Sequence, residues 1–182
     1  PAPEKERVFF SEEEMEALIS AVQPHLAKTI LTTLFYTGMR ISECVNLKLK
    51  DVDLENGVIT VRNTKNKRDR QIPVHKKLLP VLKEYCVKWR RPSNLPYLFI
   101  SRNMGRVSPD YVNRILRNTA QRLGWKKNVT CHIIRHSFAS SLVARNVSIV
   151  SIQKLLGHTD LSTTSVYTHT NLSDLIKAVN TI

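Results

Sequence analysis

Helical periodicity governs this chain except at one place. There Val58-Ile59-Thr60-Val61 and Gln71-Ile72-Pro73-Val74 flank NTKNKRDR, two short β-forming runs around a polar, strongly basic stretch. Such a pair predicts a hairpin with a long basic tip, and it sets the fold class as mainly α with a small antiparallel β-sheet.

The helices around it are marked by their caps. Ser11 with Glu14 forms a capping box, and Met15, Leu18, Ile19 and Val22 repeat at helical spacing up to Pro24, predicting a helix over residues 11–22. Leu26, Ile30, Leu31, Leu34 and Phe35 carry the period into Thr37-Gly38, and a short third helix starts near Arg40 with Ile41, Cys44, Val45 and Leu47. DVDLENG reads as a turn. After the hairpin, a helix is expected over 76–91, then a short YLFIS segment. Ser108-Pro109 is an N-cap with proline at the first helical position, opening a helix that ends near Gly124. Further helical segments are expected at 131–145, at 148–156 between a Ser148 cap and a Gly157 stop, and at 162–168. Leu172, Leu175, Ile176 and Val179 make a terminal amphipathic piece that packs either on its own domain or on a neighbouring subunit.

With 28 Lys and Arg against 15 Asp and Glu the formal charge is +13, and a hydrophobic fraction of 42% can build a sizeable core. No apolar run approaches the roughly 18 residues of a membrane helix, and PAPEKERVFF has no signal-peptide core, so a cytoplasmic protein that engages no membrane is expected. Cys44, Cys86 and Cys131 are too scattered for a disulfide framework and form no CxxC pair; three reduced, buried thiols are expected. The charge is uneven. Residues 62–127 hold 18 cations against Asp69, Glu84 and Asp110, a net +15, while the remainder is −2. A regional excess of that kind attracts a polyanion through counterion release, and nucleic acid is the commonest one inside cells.

Within TCHIIRHSFAS, His132 and Arg135 stand at i, i+3 and share a helix face, with Ile133, Ile134 and Phe138 directed elsewhere. His132 and His136 have the i, i+4 spacing of metal ligands. HIIRH, however, lacks the glutamate of HExxH and puts a guanidinium beside the imidazoles, so no metal is expected. Gly157 leaves His158 just past a helix end, and Tyr167 follows nine residues later. Singly, such a tyrosine is ordinarily a packing residue and such a histidine a capping group. The company of Arg40, Lys65, His132 and Arg135 sets them apart.

The segments TGMRISE (37–43), TKNKRDRQIPV (64–74), HIIRHSFAS (132–140) and LLGHTDLSTTSVYTH (155–169), in this order, resemble the signature boxes of the tyrosine recombinase (phage integrase, Xer-like) catalytic domain. The resemblance implies Arg40 and Arg135 as paired arginines on a scissile phosphate, and Lys65 as the lysine that protonates the leaving oxygen. His132 and His158 would be the two histidines of the site, Tyr167 the nucleophile and Glu43 a supporting carboxylate. Cys131 stands where the family commonly has proline. Residues 1–10 would be a linker remnant and 11–182 the catalytic domain, without the N-terminal core-binding domain that such proteins usually carry. The implied partner is double-stranded DNA, engaged by dimers or tetramers of a subunit that is weakly associated or monomeric alone, in a nucleoid-associated protein.

That chemistry is coherent in itself. In-line attack on a phosphodiester develops charge on the non-bridging oxygens, which two forked guanidinium groups stabilise. Few carboxylates lie near the basic motifs, which argues against a two-metal route, so no cofactor is expected. A neutral tyrosine, with a pKa near ~10, needs a base or a strongly positive pocket, and His132 or His158 can assist. The leaving 5′ oxygen needs an acid, for which Lys65 is the matched choice and Lys67 the local rival. Lys67, Arg68, Arg70, Arg114, Arg117, Lys126 and Lys127 are expected to touch DNA. Three competing readings are a type IB topoisomerase, a catalytically inert DNA-binding module, and a metal-dependent nuclease or phosphatase.

Overall fold

The computed structural model describes residues 9–62, 68–103, 105–157 and 171–182. Helix α2 (His25–Thr37) lies at the centre, buried along every residue from Thr29 to Thr37. Four threonines in so enclosed a helix would strand four hydroxyls. Each instead donates to the carbonyl four residues back: Thr29 to His25 at 2.8 Å, Thr32 to Lys28 at 2.7 Å, Thr33 to Thr29 at 2.8 Å and Thr37 to Thr33 at 2.6 Å. Pairing inside the helix lets apolar neighbours close in from all sides.

Those neighbours are α1 (Glu12–Ser20), α3 (Ile41–Val45), α4 (Leu78–Glu84), α5 (Pro109–Arg122) and α6 (Cys131–Ala144). The expected caps form. Ser11 Oγ accepts the Glu14 N–H at 3.1 Å while Glu14 Oε1 accepts the Ser11 N–H at 3.4 Å. Ser108 Oγ accepts the Tyr111 N–H at 3.1 Å, and α7 (Ile149–Leu156) runs from the Ser148 cap to Gly157. The expected helix over 162–168 lies outside the described residues.

The sheet is antiparallel, but it has three strands rather than the hairpin's two. Its order is β1 (Val52–Asp53), β2 (Val58–Val61) and β3 (Arg70–Pro73), with Val52 opposite Ile59 and Val61 opposite Arg70. DVDLENG is a turn that carries a strand on its near side. Asp53 Oδ1 accepts the N–H groups of Glu55 at 3.1 Å and Asn56 at 2.9 Å, and this reversal brings Val52-Asp53 alongside β2. Ile59, Val61 and Ile72 point into the core.

The helix expected over 76–91 is also interrupted. α4 gives way at Tyr85–Trp89 to a wider π turn that ends with the Arg90 N–H on the Tyr85 carbonyl at 2.7 Å. Such turns re-aim side chains. Here the Tyr85 hydroxyl, on a residue 2% exposed, accepts the Ile100 N–H at 3.3 Å and so holds the YLFIS segment.

The terminal helix α8 (Leu172–Val179) packs on its own chain, against β3 and α7, with Leu175, Ala178 and Val179 buried. Asn180 Oδ1 accepts the Lys76 N–H at 3.1 Å. The buried His75 accepts the Lys77 N–H on Nδ1 at 2.9 Å, which leaves Nε2 to donate to the Ile182 carbonyl at 3.0 Å. Burial, reinforced by the charges of Lys77 and Lys76, holds this imidazole below its ordinary pKa despite the Ile182 bond.

At the other end, packing reaches one residue into the stretch read as linker: Phe10 is buried, 5.3 Å from the Trp125 ring, and its N–H bonds Ser137 Oγ at 3.1 Å. Cys44 and Cys131 are buried thiols, whereas Cys86 is only half-buried. Among the described residues, no helix is long and apolar enough to cross a membrane.

Candidate active site

The site grows from the place where α2, α6 and α7 meet. Gly38 ends α2 in the left-handed conformation at φ 67°. A Cβ there would stand 2.3 Å from Phe138 of α6 and 2.9 Å from Leu156 of α7, so glycine is required by space as well as by conformation. This contact brings the carbonyl ends of α2 and α7 beside Arg135. Nη1 of Arg135 donates to the Gly38 carbonyl at 2.8 Å and Nη2 to the Leu156 carbonyl at 2.8 Å. Carbonyls at helix ends carry partial negative charge, which suits a buried cation.

Arg135 is only 6% exposed, and this differs from the expected helix face. His132 is exposed, while Arg135 shares the inner face with Ile134 and Phe138. Burial, followed by repulsion from Arg40, pulls the Arg135 pKa down to about 10, so the guanidinium remains charged at neutral pH. It holds five N–H groups and gives two to carbonyls.

Arg40, at the entrance to α3, is half-exposed, with Nη1 3.3 Å from Glu43 Oε1. Its own N–H donates to Glu43 Oε2 at 2.9 Å. Glu43 also receives a two-pronged pair from Arg70, Nη1 to Oε1 at 2.9 Å and Nη2 to Oε2 at 2.8 Å. Burial by itself would raise the Glu43 carboxyl; the bonds and charge of Arg70, with those of Arg40, outweigh it and hold the group below its ordinary range. Arg40 and Arg70 thus share the Glu43 carboxylate, and Arg135, held by the two helix-end carbonyls, lies near enough to feel the charges of all three. Among the described residues the group is net positive.

His132 opens α6, one turn before Arg135, and its Nε2 lies 2.9 Å from Nε2 of His136. The Cys131 N–H donates to Asn113 Oδ1 at 2.9 Å, a bond that proline at this position could not make. Burial pushes the Cys131 thiol up to about 12. Among the described residues, no three His, Cys, Asp or Glu side chains come together as a metal site. Lys65, Lys67, His158 and Tyr167 lie outside the described residues.

The remaining basic candidates divide. Arg70 faces inward, its side chain 12% exposed, with Nε on the Leu155 carbonyl at 2.8 Å. Arg68, Arg114, Arg117, Lys126 and Lys127 are exposed. Lys127 lies over the Phe10 ring at 5.5 Å and Arg114 over Tyr111 at 5.8 Å. Arg114 belongs to a feature that linear reading missed, an open hollow of about 810 Å³ whose lining includes Trp89, Arg91, Arg102, Arg106 and Tyr111. Its cations come from three separate stretches of chain. Their shared signal was the +15 region, which gives charge but no geometry.

Comparison with known proteins bears on the fold and the family. The phage integrase family matches residues 8–173. Tyrosine recombinase XerA of Pyrococcus furiosus is 40% identical over 174 residues, 93% of this chain and 59% of that protein. Among solved structures, XerA recombinase superposes with a TM-score of 0.77 at 35% identity, over 93% of this chain and 63% of that one. XerH bound to its difH substrate before cleavage gives 0.71 at 26% identity, over 91% and 51%. The chain therefore spans less than two thirds of each of these proteins. The match over residues 8–173, nearly the whole length, shows that the chain belongs to the phage integrase family.

Proposed function

We propose that this chain is the strand-cleaving and rejoining domain of a site-specific DNA recombinase, acting on double-stranded DNA through a 3′-phosphotyrosyl intermediate. The observation that carries the reading is the group formed by Arg40 and Arg70 on Glu43 with Arg135 beside them, one carboxylate for three cations among the described residues. A site made to hold Mg²⁺ would have the opposite balance. A site made for a phosphodiester needs donors aimed before the substrate arrives, and Arg135 is aimed by two helix ends.

In this mechanism the Tyr167 oxygen attacks the phosphorus and loses its proton to His132 or His158. The bond to the 5′ oxygen breaks, and that oxygen takes a proton from Lys65. Arg40 and Arg135 meet the charge that gathers on the two non-bridging oxygens. One phosphodiester is exchanged for another, so a 5′ hydroxyl from a second strand can reverse the step without ATP. The exposed cations Arg68, Arg91, Arg102, Arg106, Arg114 and Arg117 supply charge for the duplex backbone, and subunits assemble as dimers or tetramers on the DNA.

The test is a nicked DNA target in the presence of EDTA. A denaturant-resistant adduct is expected, with mass spectrometry placing the nucleotide on Tyr167; Tyr167→Phe abolishes the adduct while DNA binding persists. An adduct on another residue, or none without added metal, overturns the reading.

A further inference from the structure

Arg70 stands at the junction of three parts of the site. Through the backbone it is the last residue of the β2–β3 ladder before the basic tip, opposite Val61. Through Nη1 and Nη2 it grips Glu43, at 2.9 and 2.8 Å, and Glu43 in turn holds the Arg40 N–H and Nη1. Through Nε it takes the Leu155 carbonyl at 2.8 Å, at the end of α7, whose next carbonyl, that of Leu156, is held by Arg135. Gly157 completes the fit. It is left-handed at φ 69°, and a Cβ there would lie 2.8 Å from Arg70 Nη1 and 3.0 Å from its Cδ and Cζ. The guanidinium therefore lies flat against the backbone at the point where the chain departs toward His158 and Tyr167.

We propose that Arg70 is a positioning residue that locks the exit of α7 to the carboxylate and to the base of the basic hairpin, and not a ligand of DNA phosphate. Its three N–H bonds are directed inward, and the fork geometry is what the position requires: an ammonium could neutralise Glu43 but could not span Glu43 and Leu155 together. The proposal rests on the reading that Tyr167 is the nucleophile. Fixing Gly157, from which the chain runs on in sequence to Tyr167, would act on the rate through placement, since misplacement of a reacting group by about 1 Å costs about 100-fold.

The test compares Arg70→Lys and Gly157→Ala with the parent in the full chain, by single-turnover adduct formation and by DNA affinity across salt. Arg70→Lys keeps the charge, so affinity and its salt slope are expected to stay within about twofold of the parent, while the adduct rate at saturating DNA falls about 10- to 100-fold. Gly157→Ala keeps the arginine but its Cβ pushes the guanidinium aside, and the same split between rate and affinity is expected; the double variant is no slower than the slower single one. Weakened binding with a shallower salt slope would make Arg70 a phosphate ligand and overturn the proposal. So would a parental adduct rate in either variant. Failure of the parent itself to form an adduct would instead overturn the recombinase reading beneath it.

Discussion

The molecule carries its positive charge in two ways. At the helix junction, Arg135 is buried and Arg70 half-buried, and each is fixed by at least two hydrogen bonds to backbone carbonyls or to Glu43. In the open hollow, Arg91, Arg102 and Arg114 stand in solvent, and Arg114 rests against Tyr111 at a ring distance of 5.8 Å. The first arrangement specifies direction and the second supplies field. A transition state rewards direction, because its charge forms at defined oxygens; a DNA backbone rewards field, because its charge is continuous.

The contrast breaks most sharply at Arg135. Replacing it with alanine removes the aimed donor and strands the Gly38 and Leu156 carbonyls. Adduct formation is expected to fall about 100- to 1,000-fold, with a loss of about 1–3 kcal/mol in stability for each buried acceptor left unpaired, read by denaturant unfolding. DNA affinity should change little. If Arg135→Ala instead lowered affinity as much as rate, the two modes of charge would not be separate.

Glu43→Gln should have a smaller effect, about 10- to 100-fold on the adduct rate, because it loosens Arg40 and Arg70 without removing either. It also has a pH signature. The folded-state pKa of Glu43 is depressed below its ordinary value of about 4.5. Its stabilisation is therefore complete above that value and lost as pH falls through the lower, folded-state value. Acid unfolding should be shallower in Glu43→Gln than in the parent; identical acid limbs would mean that the carboxylate is not held by its cations.

Least affected in rate should be the double change Arg102→Ala with Arg114→Ala. At saturating DNA, adduct formation should remain near the parent's, while the salt slope of binding falls by about 2, about 0.9 for each phosphate contact removed. A rate loss at saturation would give the hollow a share in the chemistry.

Local signals made much of this architecture legible. Ser11 with Glu14, Ser108 before Pro109, and Ser148 with Gly157 mark helix ends because capping is settled by residues three or four apart. β1 was hidden because its two residues have no strand pattern of their own; the Asp53 turn and the neighbouring β2 make them a strand. The burial of Arg135 was legible in principle. Cys131, Ile134, Phe138 and Leu142 form an inward stripe, and Arg135 falls on it. The inward turn of Arg70 was not, since its partners Glu43 and Leu155 are 27 and 85 residues away. Arg40 reaches Glu43 from the same helix turn, whereas only the folded chain brings Arg70 onto that carboxylate and Arg135 beside it.

The docking of α8 sets a tether. Asn171 caps that helix through its bond with the Asp174 N–H at 3.0 Å, and the helix is anchored beyond by Asn180 and Ile182. While α8 stays seated, its apolar face is taken up by β3 and α7 of its own chain, and the same face cannot also serve a neighbouring subunit. Offering it to another copy would require lifting the helix off first.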